Sequence, residues 1–320
     1  MNADFSDMVI NAAAALWGAE PHHKLNGTNH DIYQVTINAE PAVMRVTPVE
    51  HRDIDSILGE IEFMQFLQGK VPVPKVIRSA GHKLAEQVRV DGQQVIVCMF
   101  ELIKGLPLNR DSIAQTSIIQ LWGETMGSLR NFSRQYDPNK HYYRKLDGDV
   151  LINFAKQRIK KEPHILELLK NKWAEILSSQ LIQKEWGIIH GDLTQSNMHF
   201  YDKKLYLFDF DECMLAPYLY DVAITIHITL LSLAGKDNYQ IAAENFIKNL
   251  LTGYKKQCNT TIDTASLMLL MDFYNMLIYV HISQFADHPF KAHVLNAMNT
   301  GTLAGLEITK IIYEINNQDD

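Results

Sequence analysis

Residues 186–221 limit what this chain can fold into more than any other stretch. They read Trp-Gly-Ile-Ile-His-Gly-Asp-Leu-Thr-Gln-Ser-Asn-Met-His-Phe from Trp186 and Leu-Tyr-Leu-Phe-Asp-Phe-Asp from Leu205. Asp192 and Asn197, five positions apart, follow the apolar pair Ile188 and Ile189, as residues of a loop leaving a core do. A second apolar run, 205–208, closes on Asp209, and Tyr201-Asp202-Lys203-Lys204 between the two runs has the composition of a hairpin turn. A hairpin brings its ends together, so this spacing predicts Asn197 and Asp209 within reach of one point, where a hard cation fits.

One carboxylate to take a hydroxyl proton, with an amide and a second carboxylate to hold Mg²⁺ against phosphates, is the equipment of phosphoryl transfer. Protein kinases carry His-Arg-Asp, then Asn at this spacing, then Asp-Phe-Gly. Here His190-Gly191-Asp192-Leu193 with Asn197, then Asp209-Phe210-Asp211 and Tyr220-Asp221, resembles the aminoglycoside phosphotransferase, choline kinase and type II homoserine kinase superfamily. The resemblance implies an α+β, bilobal protein-kinase-like fold. A small antiparallel β lobe over residues 1–104 would end in a hinge, and a larger, mostly helical lobe over 105–320 would carry the catalytic loop and acceptor pocket. It implies Asp192 as catalytic base, Asn197 and Asp209 as Mg²⁺ ligands, and His190 and Asp221 as braces of the loop.

The same resemblance extends through the first hundred residues. Tyr33, Val35 and Ile37 alternate with Gln34 and Thr36, and a turn at 38–41 leads into Ala-Val-Met-Arg-Val at 42–46, a predicted hairpin. Val43 and Arg45 share one strand face. In the family, these positions lie over adenine and on the nucleotide phosphates, and guanidinium suits the second task. A helix is predicted over 54–67 from Ile57, Leu58, Ile61, Met64 and Leu67. It carries Glu60, which the family pairs with the strand's basic residue; Glu62 competes for that role. Strands near 84–90 and 94–100 flank the Asp91-Gly92 turn. The following Phe-Glu-Leu-Ile-Lys-Gly at 100–105 matches the family's hinge, where backbone groups at Glu101 and Ile103 meet the adenine edge. Gly27 reads either as a phosphate-loop glycine or as a turn glycine.

Beyond the hinge the pattern is helical, with Ser112 as a predicted cap and later helices near 222–233, 239–254, 264–285 and 288–316, separated by Gly235, Gly253 and Pro289. In the helix over 264–285, Asp272 and Asn275 stand one turn apart. They are either acceptor ligands or the outer side of a core helix. Asp211 is open among a second metal, the acceptor and a backbone amide.

Composition narrows the partners. With 320 residues, 47% apolar and 21% charged, the chain can bury a large core. A formal charge of −7 argues against nucleic acid as the partner. Three scattered cysteines predict neither a disulfide framework nor a zinc site, and they suit a reducing cytoplasm. The alanine-rich segment 11–19 follows Asp4 and Asp7 with no basic stretch, so an amphipathic helix is expected there rather than a leader. No apolar run approaches the roughly 20 residues of a membrane span. The expected activity is transfer of the γ-phosphoryl group of ATP, with Mg²⁺, to a hydroxyl of an aminated small molecule resembling an aminoglycoside, choline or homoserine. The alternatives are a protein Ser/Thr kinase of the same fold and a nucleotide-binding pseudokinase. Oligomeric state is not written in these motifs.

Overall fold

The computed structural model describes residues 5–25, 30–109, 111–138, 141–234, 238–258, 261–285, 288–300 and 308–317. Gly27 and Gly235 lie outside them. The chain divides into two compact units. The first comprises Met1–Leu106, Tyr136–Arg144 and Tyr206–Asp211, and the second Pro107–Gln135, Lys145–Leu205 and Glu212–Asp320. Two later segments thus belong to the N-terminal unit, where the sequence suggested a single division after residue 104.

The first unit begins with helix α1 (Asp7–Ala15), capped by the Ser6 hydroxyl accepting from Val9 N. There follow β1 (Glu20–Leu25), β2 (Asp31–Ile37), β3 (Glu40–Pro48), α2 (Ile54–Leu67), β4 (Val76–Ile77), β5 (Ala85–Val90) and β6 (Gln93–Glu101). The sheet runs β1-β2-β3-β6-β4, with β5 also paired to β6, and the pairings are antiparallel. The β2–β3 turn places Asn38 and Ala39 both at positive φ, 50° and 68°, matching the twist of the strands it joins. Asp53 caps α2 by accepting from Ser56 N at 2.8 Å.

Strand alternation divides the labour of β3. Met44 and Val46, opposite Met99 and Val97, pack with Val9, Ala13 and Trp17 into one apolar core. The residues between them, Val43, Arg45 and Thr47, stand opposite Phe100, Cys98 and Ile96 on the other face, where Arg45 meets Glu60 of α2.

Two-residue strands β7 (Leu106–Pro107) and β8 (Arg144–Lys145) mark places where the chain passes between units. The second unit contains α3 (Thr116–Ser133), α4 (Gly148–Arg158), α5 (Pro163–Ser178), α6 (Gln180–Lys184) and β9 (Trp186–Ile189). It also contains β10 (Met198–Tyr201) and β12 (Met214–Pro217), which pairs antiparallel with β9, whereas β11 (Lys204–Leu207) begins in the second unit and ends in the first. Helices α7 (Tyr218–Leu233), α8 (Tyr239–Cys258), α9 (Thr264–Ile282), α10 (Lys291–Thr300) and α11 (Ile308–Asn316) complete the chain. The β10–β11 turn carries Asp202 and Lys203 at φ 47° and 59°.

Three expectations need correction. Ser112 begins a 3₁₀ turn, Ser112–Ala114, rather than capping α3. Gly253 does not end a helix but lies inside α8, where a Cβ would come within 2.1 Å of Gln120 O. Helix α9 is long and apolar enough, by length and composition, to cross a membrane, contrary to the reading of the apolar runs. Its Asp272 and Asn275 do not interrupt the apolar count, and more than half of the helix's most apolar window is buried inside the protein.

The α3–α8 contact depends on glycine from both sides. A Cβ on Gly123 would stand 1.9 Å from Leu250 O, a distance only backbone displacement can relieve. We therefore expect Gly123→Ala to destabilise the protein by about 1–3 kcal/mol or more through overpacking. Urea denaturation checks this, and an unchanged midpoint would mean the two helices have room to part.

Candidate active site

In the second unit, β9 delivers the buried Ile189 and His190 to a sharp turn. Gly191 sits there at φ 83°, and a Cβ would lie 2.2 Å from Glu212 O. Only glycine fits, which gives a local reason for its presence where protein kinases carry arginine. Asp221, in the first turn of α7, accepts from His190 N at 2.9 Å and Gly191 N at 2.8 Å. One helical turn later, the Thr225 hydroxyl donates to Leu193 O at 2.7 Å. One face of α7 therefore holds the loop backbone at three points. Burial pushes the Asp221 carboxyl above its ordinary range, against the opposing pull of His190 and the two amides.

Asp192 is half-buried on this loop, its N–H donating to His190 Nδ1 at 3.3 Å. The Asn197 amide nitrogen donates to Asp192 O at 2.9 Å and to Asp192 Oδ2 at 2.8 Å. These bonds engage Asp192 Oδ2 and the Asn197 amide nitrogen, and neither uses Asp192 Oδ1 or Asn197 Oδ1.

On α9, Asn275 and Asp272 part company. Asn275 is 4% exposed, accepts from His227 Nε2 at 2.6 Å and donates to Val294 O at 3.2 Å. The Asp272 carboxylate lies 3.1 Å from Lys172 Nζ. The α9 residue whose environment records the Asp192 loop is Tyr274. Burial and then the charges of Asp192 and Glu212 push its hydroxyl upward, and its ring lies edge-on to Tyr220 at 5.8 Å and His227 at 5.3 Å. Nothing in an apolar helical pattern distinguishes such a tyrosine from a packing residue.

In the first unit, Arg45 donates Nη1 to Glu60 Oε1 at 2.7 Å and Nη2 to Oε2 at 2.9 Å, and Arg52 donates Nη1 to Glu60 Oε2 at 2.6 Å. Glu62 instead faces His141 at 3.2 Å, so Glu60 is the partner of Arg45. Burial alone would push the Glu60 carboxyl up, but Arg45 and Arg52 together hold it below its ordinary value. Val43 is half-buried two residues before Arg45 on the same face. The Arg45 Nε is a buried donor with no hydrogen-bond partner among the described residues. At the hinge, Glu101 N donates to Lys75 O at 2.8 Å, whereas the Ile103 N–H has no partner among the described residues.

Asp209 belongs to this first unit too. It adopts φ 64°, left-handed for a non-glycine residue, and its charge adds to those of Cys98 and Glu60 in holding Arg45 well above its ordinary pKa despite burial. Asp211 is 6% exposed, with Oδ2 on His30 Nε2 at 2.9 Å. Its carboxylate is thus engaged by a histidine, a partner absent from the three readings its sequence position left open.

Each unit holds groups of the kind a nucleotide and a hard cation use. In the first these are an unpartnered guanidinium N–H, an unpartnered hinge amide and the Asp209 carboxylate, and in the second the Asn197 amide oxygen. Among the described residues no three His, Cys, Asp or Glu side chains are grouped to hold a metal alone.

The model of the phosphotransferase enzyme family matches residues 24–265. An amicoumacin kinase of Bacillus subtilis (strain 168) is 23% identical over 294 residues, spanning 88% of this chain and 86% of that protein. The structure of an amicoumacin kinase in complex with AMP-PNP, Ca²⁺ and Ami superposes with a TM-score of 0.77 at 19% identity, covering 98% of this chain and 96% of that one. That of a microcompartment-associated aminopropanol kinase gives 0.66 at 16% identity, covering 97% and 99%. These likenesses establish the α+β, protein-kinase-like fold.

The Glu60 pair generates a pH prediction. Its folded pKa is depressed, so its contribution is present above the ordinary value of 4.5 and is lost as pH falls below it. Glu60→Gln should lose about 3–5 kcal/mol at pH 7, because two guanidinium groups are left unpaired. It should also show a shallower acid limb than wild type. Urea midpoints from pH 7 to 3 check both, and parallel acid limbs would remove Glu60 from the pH response.

Proposed function

The chain belongs to the phosphotransferase enzyme family and acts on hydroxyl groups of small molecules, and we propose that its donor is ATP, its metal Mg²⁺ and its acceptor a compound carrying an amine. One observation carries the reading: Asn197 clamps one oxygen of the Asp192 carboxylate on a loop fixed by Asp221. Asp192 then has a defined oxygen, Oδ1, with which to orient the acceptor hydroxyl and take its proton. Arg45, aligned by Glu60, is the phosphate clamp, and Val43 with the backbone of Glu101 and Ile103 holds the base. Asn197 and Asp209 are the Mg²⁺ ligands, and Mg²⁺ when bound neutralises charge on the phosphates. The cytoplasm, where ATP meets free thiols such as Cys98, Cys213 and Cys258, is the proposed setting.

The amine is supported by charge within the second unit. Asp192 and Glu212 both act on the Tyr274 hydroxyl, so two carboxylates and an aromatic ring share one neighbourhood. An ammonium group gains from both. Asp272 and Asp211 do not supply this charge, since Lys172 and His30 occupy them. The aminopropanol kinase among the solved relatives has an amine in its acceptor's name.

Asp192→Asn should preserve AMP-PNP binding while lowering turnover about 10²–10⁴-fold, the usual value of a general base. Near wild-type turnover would take Asp192 out of the mechanism. In an ADP-release screen of amino alcohols, hydroxy amino acids, sugars and aminoglycosides, aminated acceptors should outperform neutral sugars of similar size. Their advantage should shrink in Glu212→Gln. A preference for neutral or anionic acceptors would refute the amine.

A further inference from the structure

We propose that His30 is a positioning residue for the metal: by clamping Asp211 it fixes the backbone conformation in which Asp209 presents its carboxylate. The clamp lies entirely within the first unit. His30 is 7% exposed, immediately before β2, and its Nε2 stands 2.9 Å from Asp211 Oδ2. An ionised carboxylate only accepts, so Nε2 carries the hydrogen. The other ring nitrogen, Nδ1, lies 3.1 Å from the hydroxyl of Thr47, which is fully buried on the face of β3 that also carries Arg45. Both edges of the imidazole are therefore held, one by the strand and one by Asp211.

Asp211 is gripped by its backbone as well, because Arg144 Nη2 donates to its carbonyl. Between Asp209 and Asp211, Phe210 is fully buried and meets Phe63 of α2 edge-on at 6.1 Å. Helix α2 also carries Glu60, so the groups that align Arg45 and those that seat the segment after Asp209 share one helix and one strand face. This explains how Asp209 keeps φ 64°. A non-glycine residue in that region costs on the order of 1–3 kcal/mol and persists only where its surroundings over-determine it. Phe210, Arg144 and His30 are the over-determination. Without His30, one grip is gone, and Asp209 can relax to negative φ and carry its carboxylate away from the metal.

The inference rests on the reading of Asp209 as a Mg²⁺ ligand, and the test separates the two. The quantity to measure is the Mg²⁺ concentration that half-saturates enhancement of AMP-PNP binding, by calorimetry, alongside metal-free AMP-PNP affinity and the circular dichroism spectrum. Loss of a residue that orients a metal ligand typically weakens metal binding about 10–100-fold. His30→Ala should raise the Mg²⁺ midpoint by about that factor, leaving metal-free affinity unchanged. His30→Gln, which retains a donor, should recover most of the loss. Thr47→Val, isosteric and leaving the imidazole–Asp211 contact in place, should shift the midpoint in the same direction by less, and it decides the matter if His30→Ala does not fold.

Unchanged midpoints in the His30 and Thr47 variants, with Asp209→Ala strongly shifted, would overturn the inference and leave the ligand reading standing. A shift in Asp211→Asn without one in His30→Ala would also overturn it, since Asp211 would then act on the metal directly. If Asp209→Ala leaves the midpoint unchanged, the ligand reading itself falls and the inference falls with it.

Discussion

Two backbone N–H groups, those of His190 and Gly191, converge on the carboxylate of Asp221. A buried amide without an acceptor costs about 1–3 kcal/mol, so the loop between β9 and β10 has strong reason to keep a single path. Gly191 permits that path by taking a left-handed conformation and by bringing no Cβ against the Glu212 carbonyl. Everything chemical in the second unit is downstream of this constraint. Asn197 can clamp Asp192 only because the intervening residues return at the right height, and Thr225 secures the return by bonding Leu193 O.

The first unit solves a different problem, that of keeping a charge dry. Arg45 and Glu60 are 3% and 0% exposed, and their bidentate geometry offsets the desolvation of both. Period-two alternation makes this affordable for the fold, because Met44 and Val46 supply the apolar core from the opposite face of the same strand. Thr47, on the polar face, extends the arrangement to His30 and Asp211.

Helix α2 lies where its apolar spacing predicts, and the β2–β3 and β5–β6 hairpins follow their turn residues, because these signals are local. The Glu60 partner of Arg45 is legible only through likeness to a family, since Glu62, two positions on and turned to the other side of the helix, has the same chemistry. Strand β1 escaped notice because Glu-Pro-His-His-Lys-Leu has no alternation; pairing with β2, not its own composition, makes it a strand. Gly253 reads as a helix boundary in sequence because packing between α3 and α8 leaves no trace in either helix alone. Asp211 and Asp272 illustrate the same limit. Their partners, His30 and Lys172, are 181 and 100 residues away, and charge at such separations is invisible to any window along the chain. Tyr274 was likewise hidden among apolar neighbours.

The triad of Arg45, Arg52 and Glu60 has an evolutionary corollary. Glu60 Oε2 accepts from both arginines, so neither guanidinium can be altered without changing the charge felt by the other. A lysine at position 45 would contact one carboxylate oxygen rather than two, leaving Arg52 as the dominant cation and drawing Glu60 toward it. A change at any one of these three positions therefore alters what the other two must satisfy, and lineages descended from this chain would exchange them together, as a single heritable unit.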